Sequence, residues 1–226
     1  VYDIYPQNVF NVVSLRKSGI RTPADLKGRK IGVYSLASGT RQNLQVLLHQ
    51  AGLRESDVTV VVTGLLNFAP LLQGQVDATA ATDTGLAVGR RRGLGELDVM
   101  EVGKYLNVSS DLYVVREEVY QRRKEALRAF LRGYRAAAAW MIAQPEEAAR
   151  LAATRAIDGT DPDLALEIVR LRNAASVSAL TARAGLGAMD LASLQKAADV
   201  YRELGLVQRQ IDMRQVVATD LLPGLA

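Results

Sequence analysis

Two hydrophobic rhythms divide the chain. In the first half, short apolar runs read as buried strands at 9–15, 30–33, 58–62, 78–81 and 99–102. Between them, stretches with apolar positions at helical spacing read as helices at about 40–51, 66–73 and 84–92. In the first of these, Leu44, Leu47, Leu48 and Ala51 fall on one face. Alternation of this kind predicts a mostly parallel sheet with helices on both faces. A further strand is expected at 111–115. After residue 116 only the helical period persists, in a short helix opening at 117–120 and a long one over 122–143. Gln144-Pro145-Glu146-Glu147 restarts the chain with proline and acids in a first turn. Thr160-Asp161-Pro162-Asp163 repeats that device for a helix to about Asn173. The 185–187 region reads as a break, and a last long helix runs from Asp190 to Leu204 before Gly205.

The most informative stretch is 19–52. Thr22-Pro23-Ala24-Asp25 reads as an N-cap, an N1 proline and an acidic N3 residue, close to a capping box. Lys30-Ile31-Gly32-Val33 is the strand, and Ser35-Leu36-Ala37-Ser38-Gly39-Thr40 leads from its carboxyl end into a helix N-terminus. In open α/β sheets ligands bind outside the carboxyl ends of the strands, and helix N-termini favour electron-rich groups. Ser38 or Thr40 is expected to cap the helix.

Composition narrows the alternatives. Of 226 residues, 49% are hydrophobic and 23% charged, the balance of a folded globular protein. No apolar run has the length of a membrane-spanning helix. The absence of cysteine removes disulfides and thiolate chemistry. A net charge of +4 and a pI near 9.4 raise the question of nucleic acid. Aromatics are only 5% and do not interleave with the basic residues, so no nucleic-acid partner is expected. Arg90-Arg91-Arg92 suits a solvated helix end instead. The lone His49 sits inside a helix, and no Cys/His metal set or phosphate loop is visible. No catalytic residues, no cofactor and no metal are therefore assigned.

The string "GIRTPADLKGRKIGV", the following Ser/Gly loop and "LLHQAGL" resemble the solute-binding proteins of bacterial ABC importers. The group is the one that takes up thiamine pyrimidine precursors, sulfonates, taurine and nitrate. "LLQGQVDATAATDTG" and "DLYVVREEVYQRRKEALRAFLRGY" resemble the same family in the same order. The resemblance implies an α/β, two-lobed type II periplasmic-binding fold, with one lobe at 28–105 and the other built from 1–27 and 106–226. It also implies a small polar, anionic or heteroaromatic solute captured between lobes and delivered to a membrane permease. The expected location is the periplasm, or the outer face of a membrane as a lipoprotein. Family members carry another βαβ region before the match, so the first lobe is expected to be incomplete here. A chain of this form is expected to associate with another chain or to derive from a longer molecule.

Within that resemblance, Ser38, Gly39 and Thr40 are expected ligand contacts. Asp83 and Thr84, in the turn Thr82-Asp83-Thr84 after the 78–81 strand, join them, with Asp83 accepting from a ligand amine or amide. The aromatic residue that pyrimidine-precursor binders carry at that turn is missing. Asn67 is either a helix-start residue or a polar contact, and Tyr105 either stacks on a planar ligand or packs at the lobe crossing. Asp77, in "GQVDA", has its meaning in turn structure. Two alternatives stand beside this reading. A cytosolic ligand-sensing domain of a transcription regulator shares the two-lobed fold, but no helix-turn-helix is evident. A pyrimidine-precursor biosynthetic enzyme shares it too, but that chemistry requires a cysteine-rich motif.

Overall fold

A computed structural model describes residues 1–64, 68–156 and 161–223. The chain divides into two compact units, one of Val1–Asn8, Val108–Asp199 and Arg209–Ala226, the other of Val9–Asn107 with Val200–Gln208.

The second unit is built on a five-stranded sheet of order β4-β3-β5-β2-β6. Its strands are β2 (Phe10–Leu15), β3 (Lys30–Val33), β4 (Thr59–Val62), β5 (Ala78–Thr82) and β6 (Leu97–Glu101). β3 runs parallel to β4 and β5, whereas β2 lies antiparallel between β5 and β6. Four strands therefore point one way, and β2 is the exception to the expected parallel sheet. Helices α1 (Gly39–Gln50), α2 (Ala69–Leu72) and α3 (Asp83–Arg91) connect the parallel strands. Alternation along β2 shows how both faces are covered. Val12 packs with Ile31, Leu44, Leu47 and Leu48 on one side, and Val13 with Leu71, Val76, Leu86 and Leu94 on the other.

Polar side chains fix the strand ends. Asp77 accepts from the Lys30 N–H at 2.8 Å while its own N–H donates to the Lys30 carbonyl, locking the start of β3. Asp25 accepts from the N–H and the hydroxyl of Thr22, both at 2.8 Å, so the reciprocal cap expected at 22–25 forms on a single 3-10 turn, Pro23–Leu26.

The first unit holds a two-stranded antiparallel ribbon of β1 (Tyr2–Tyr5) and β7 (Asp111–Tyr113). With it are α4 (Glu117–Arg122), α5 (Lys124–Ala143), α6 (Pro145–Arg155), α7 (Pro162–Ala175), α8 (Ala179–Ala184), α10 (Met213–Val216) and most of α9 (Leu191–Glu203). Tyr2, Tyr113, Tyr134 and Phe130 form an edge-to-face cluster, with ring centroids 5.0–5.5 Å apart in its T-shaped pairs. Gly187, at φ 90°, lies against Tyr2, where a Cβ would fall 2.0 Å from the ring. Asp161 caps α7 through the Asp163 N–H at 2.9 Å, with Pro162 at N1 as the sequence suggests; Thr160 lies outside the described residues.

Two boundaries differ from expectation. The division near the N-terminus falls between Asn8 and Val9 rather than at 27/28. Its cause is β2, which pairs on both edges inside the five-stranded sheet and carries 9–27 with it. The two helices expected at 117–120 and 122–143 both form, as α4 and α5, but the break between them falls at Arg123, so the long helix begins at Lys124.

Candidate functional site

The carboxyl ends of β3, β4, β5 and β6 share one edge of the second unit's sheet, and antiparallel β2 begins there. Phe10, the first residue of β2, pairs with Thr82, the last of β5. Its ring reaches the first turn of α1: a Cβ on Gly39 would lie 2.7 Å from Phe10 Cζ. The 3-10 turn Val102–Lys104, which follows β6, packs against both α1 and β2. Three of the sequence-predicted positions, Ser38–Thr40, Asp83–Thr84 and Tyr105, thus belong to elements gathered around one aromatic residue. Asn67 lies outside the described residues.

The Ser35–Thr40 loop is held by its own hydroxyls. Ser38 Oγ donates to the Ser35 carbonyl at 2.6 Å and accepts from the Ser35 N–H at 3.2 Å. Ser38 Oγ and Thr40 Oγ1 lie 2.6 Å apart, and Thr40 Oγ1 accepts from the Tyr34 N–H at 3.0 Å. A hydroxyl has one proton to give. With that of Ser38 directed at Ser35, the Thr40 hydroxyl donates to Ser38, and both protons are used inside the loop. Ser38 occupies the N-cap position of α1 without a side-chain capping bond, and Thr40 lies inside the helix, so the expected capping by either hydroxyl is replaced by closure of the loop. What the turn offers outward is main chain, the first N–H groups of α1, which have no partner within the helix.

Gly39 takes its meaning from Phe10: the glycine lets the ring lie against the helix. Arg41, which sequence reading missed, braces the same loop. Its Nε and Nη2 grip Glu55, Nη2 at 2.7 Å from Oε1, and Nη1 donates to the Leu36 carbonyl at 2.9 Å. Gln45 adds a second donor to Glu55. A guanidinium fork with three acceptors is a directional brace. Its only trace in the sequence is a pair of opposite charges fourteen positions apart.

At the next strand end Thr82 caps α3, accepting from the Gly85 N–H at 3.2 Å. Asp83 is the first helical residue. Its N–H donates to the Val9 carbonyl at 2.9 Å, and its Oδ1 accepts from the Thr84 N–H at 2.7 Å. A carboxylate there suits the helix dipole. Two aromatic rings stand out from this edge, Tyr34 after β3 at 44% exposure and Tyr105 beyond β6 at 42%. The cations nearby in sequence are engaged, Arg41 as above and Lys104 with Glu101 at 3.2 Å.

A family profile described as NMT1/THI5 like matches residues 1–148. The chain belongs to the NMT1/THI5-like family. This NMT1/THI5-like chain is 26% identical over 203 residues to the riboflavin-binding protein RibY of Chloroflexus aurantiacus, covering 88% of this chain and 58% of that one. It thus spans less than two thirds of that relative. Among solved structures, the periplasmic aliphatic sulphonate binding protein SsuA of Escherichia coli superposes with a TM-score of 0.71 at 24% identity, over 97% of this chain and 69% of that one. The alkanesulfonate-binding SsuA of Xanthomonas axonopodis pv. citri, bound to MOPS, gives 0.69 at 19%, over 95% and 73%. These likenesses establish the fold as that of the type II periplasmic binding proteins.

Proposed function

We propose that this chain is the solute-capturing component of an ABC importer, an extracytoplasmic protein or lipoprotein that hands a small molecule to a membrane permease. The observation that carries this reading is the gathering of the α1 N-terminus, the Thr82–Thr84 turn and the 3-10 turn before Tyr105 at one sheet edge around Phe10. The family supports it, as does a riboflavin-binding relative. The ligand contacts proposed are the main chain of Ser38, Gly39 and Thr40, together with Asp83, Thr84 and Tyr105.

The same edge favours a planar heteroaromatic solute over a sulfonate. Exposed tyrosine rings offer stacking surfaces. Asp83 offers an acceptor for a ring N–H or amine, whereas Arg41 and Lys104 already hold carboxylates. A micromolar complex requires about −8 kcal/mol, within reach of one buried ring and a few hydrogen bonds. Thermal-shift measurements with riboflavin, aminopyrimidines, alkanesulfonates, taurine and nitrate test the reading. Stabilisation by one of the planar heterocycles is expected. Stabilisation by sulfonates alone would overturn the solute class, and silence across the panel would count against the capture role.

A further inference from the structure

Phe10 stands where the apolar packing of the second unit's sheet stops. Residues 10, 12 and 14 of β2 share one face, the face that α1 covers, and Val12 is fully buried there beside Leu44, Leu47 and Leu48. Phe10 continues that face towards the sheet edge. It is half-buried, and it joins neither of the two apolar clusters that seal the sheet. By register it faces Thr82 on β5 and, one step beyond the Asn11–Glu101 pair, Val102 on the other side. Its ring tip is directed at α1: a Cβ on Gly39 would lie 2.7 Å from Cζ, 3.2 Å from Cε1 and 3.5 Å from Cε2.

Gly39 is the clue to what this arrangement is for. Glycine in a helix loses stability relative to alanine, and it is usually kept where the backbone needs a positive φ. Gly39 is helical and is not among the glycines of positive φ. The backbone therefore does not require it; the ring does. The ring is also held in register with the polar groups of the edge. Phe10 pairs with Thr82, and the Asp83 N–H donates to the Val9 carbonyl at 2.9 Å, so the start of β2 and the Thr82–Thr84 turn are one piece. A flat solute stacked on this ring has the first N–H groups of α1 on one side and the Asp83 carboxylate on another. Stacking supplies area and demands planarity, while the polar groups set orientation.

We infer that Phe10 is the platform on which the solute's ring stacks, and that Gly39 is a positioning residue that sets the depth of that platform. The inference rests on the capture of a planar solute proposed above and adds to it the residue that selects for flatness. Titration calorimetry tests it, with riboflavin and an aminopyrimidine as planar probes and thermal unfolding as the check on the fold. Phe10→Leu keeps an apolar side chain and removes the π face, so affinity for a planar probe should fall roughly three- to tenfold. Gly39→Ala raises helix propensity, and its methyl group pushes the ring tip aside. Its thermal midpoint should stay near that of the wild type while affinity falls by a similar factor. The Phe10→Leu/Gly39→Ala double variant should bind as Phe10→Leu alone does, because the methyl group then has no ring to displace. A loss from Gly39→Ala that persists beside Phe10→Leu would mean that the methyl group meets the solute itself, and would overturn the positioning role. Equal affinity of Phe10→Leu and wild type for a planar probe overturns the platform and leaves solute capture standing. A wild-type chain that binds neither planar probe overturns the planar-solute reading and this inference with it.

Discussion

The two units solve the burial problem differently. In the second, a five-stranded sheet has apolar residues on both faces, and every β2 side chain from Asn11 to Ser14 is buried. The first has two short strands, and its longest helix keeps aromatic rings in solvent. A sheet covered on both faces needs no further partner. The unit that presents the candidate site is therefore the one whose rigidity is built in, which suits a surface that must hold polar groups at fixed spacing.

The contrast predicts where substitutions hurt. Leu47→Ala, in the sealed core under β3, should cost about 2–5 kcal/mol, because the layered packing cannot collapse around the cavity. Val114→Ala, on the open ribbon, should stay within about 0.5 kcal/mol. Hydrogen exchange across a urea series reads both, and equal effects at the two positions would remove the distinction between the units. Next in size is Asp3 in the first unit. Its carboxyl is buried, Ser109 donates to Oδ2, and Oδ1 has no hydrogen-bond partner among the described residues. Burial pushes its pKa up to about 6 from 3.8, against the Ser109 bond and with Asp190 and Asp111 adding to the rise. The fold thus prefers the protonated acid. Stability from this group is fully present below pH 4, is lost as pH rises through 6, and by neutrality amounts to a penalty of about 3 kcal/mol. Fluorescence of the single Trp140, which lies in the same unit, follows the transition. Asp3→Asn should flatten the stability profile between pH 4 and 7. A profile as steep as that of the wild type would place the titration elsewhere.

How much of this was legible depended on range. The strand–loop–helix at 30–51 was readable because its signals are local: an apolar run, small polar residues, then helical spacing. Asp25 was readable for the same reason, whereas Asp77, expected to act in a local turn, instead holds the Lys30 N–H forty-seven positions away. Long-range pairing was not readable. Nothing in the sequence of Phe10–Leu15 states that it enters a sheet between β5 and β6, so its unit was misplaced. The loop was found, yet the work of its residues was not. The hydroxyls of Ser38 and Thr40 close onto Ser35 and Tyr34, and Gly39 answers to Phe10, a residue twenty-nine positions away. Strand β1 was missed because its four residues mix aspartate with aromatics, and only pairing with β7 makes them a strand.

At the candidate site, Asp83 separates ligand chemistry from fold chemistry. Its Oδ1 bond to the Thr84 N–H lies in the partly exposed first turn of α3, where water can replace it, and the cap that Thr82 gives the Gly85 N–H does not depend on it. Asp83→Ala should therefore leave the thermal midpoint close to that of the wild type. Affinity for a ring bearing an N–H or amine should fall by about 1.5–3 kcal/mol, roughly ten- to hundredfold. Titration calorimetry with the best ligand of the panel measures it, and an unchanged affinity would reduce Asp83 to a helix-end charge.

The smallest expected effect sharpens the comparison most. Ser38→Ala removes one hydroxyl that serves the Ser35 carbonyl, the Ser35 N–H and Thr40 together. The loop is partly exposed, so water can take over some of these bonds, and the stability cost should be about 1 kcal/mol. Ligand affinity should change in the same modest measure, because the contact assigned to this turn is main chain and survives the substitution. The Arg41 brace to Glu55 and Leu36 keeps the loop's path. Ser38→Ala and Asp83→Ala should then diverge, the first visible mainly in unfolding and the second mainly in binding. If Ser38→Ala instead abolishes binding at unchanged stability, the serine hydroxyl itself meets the solute, and the ring of hydrogen bonds seen here must open for it.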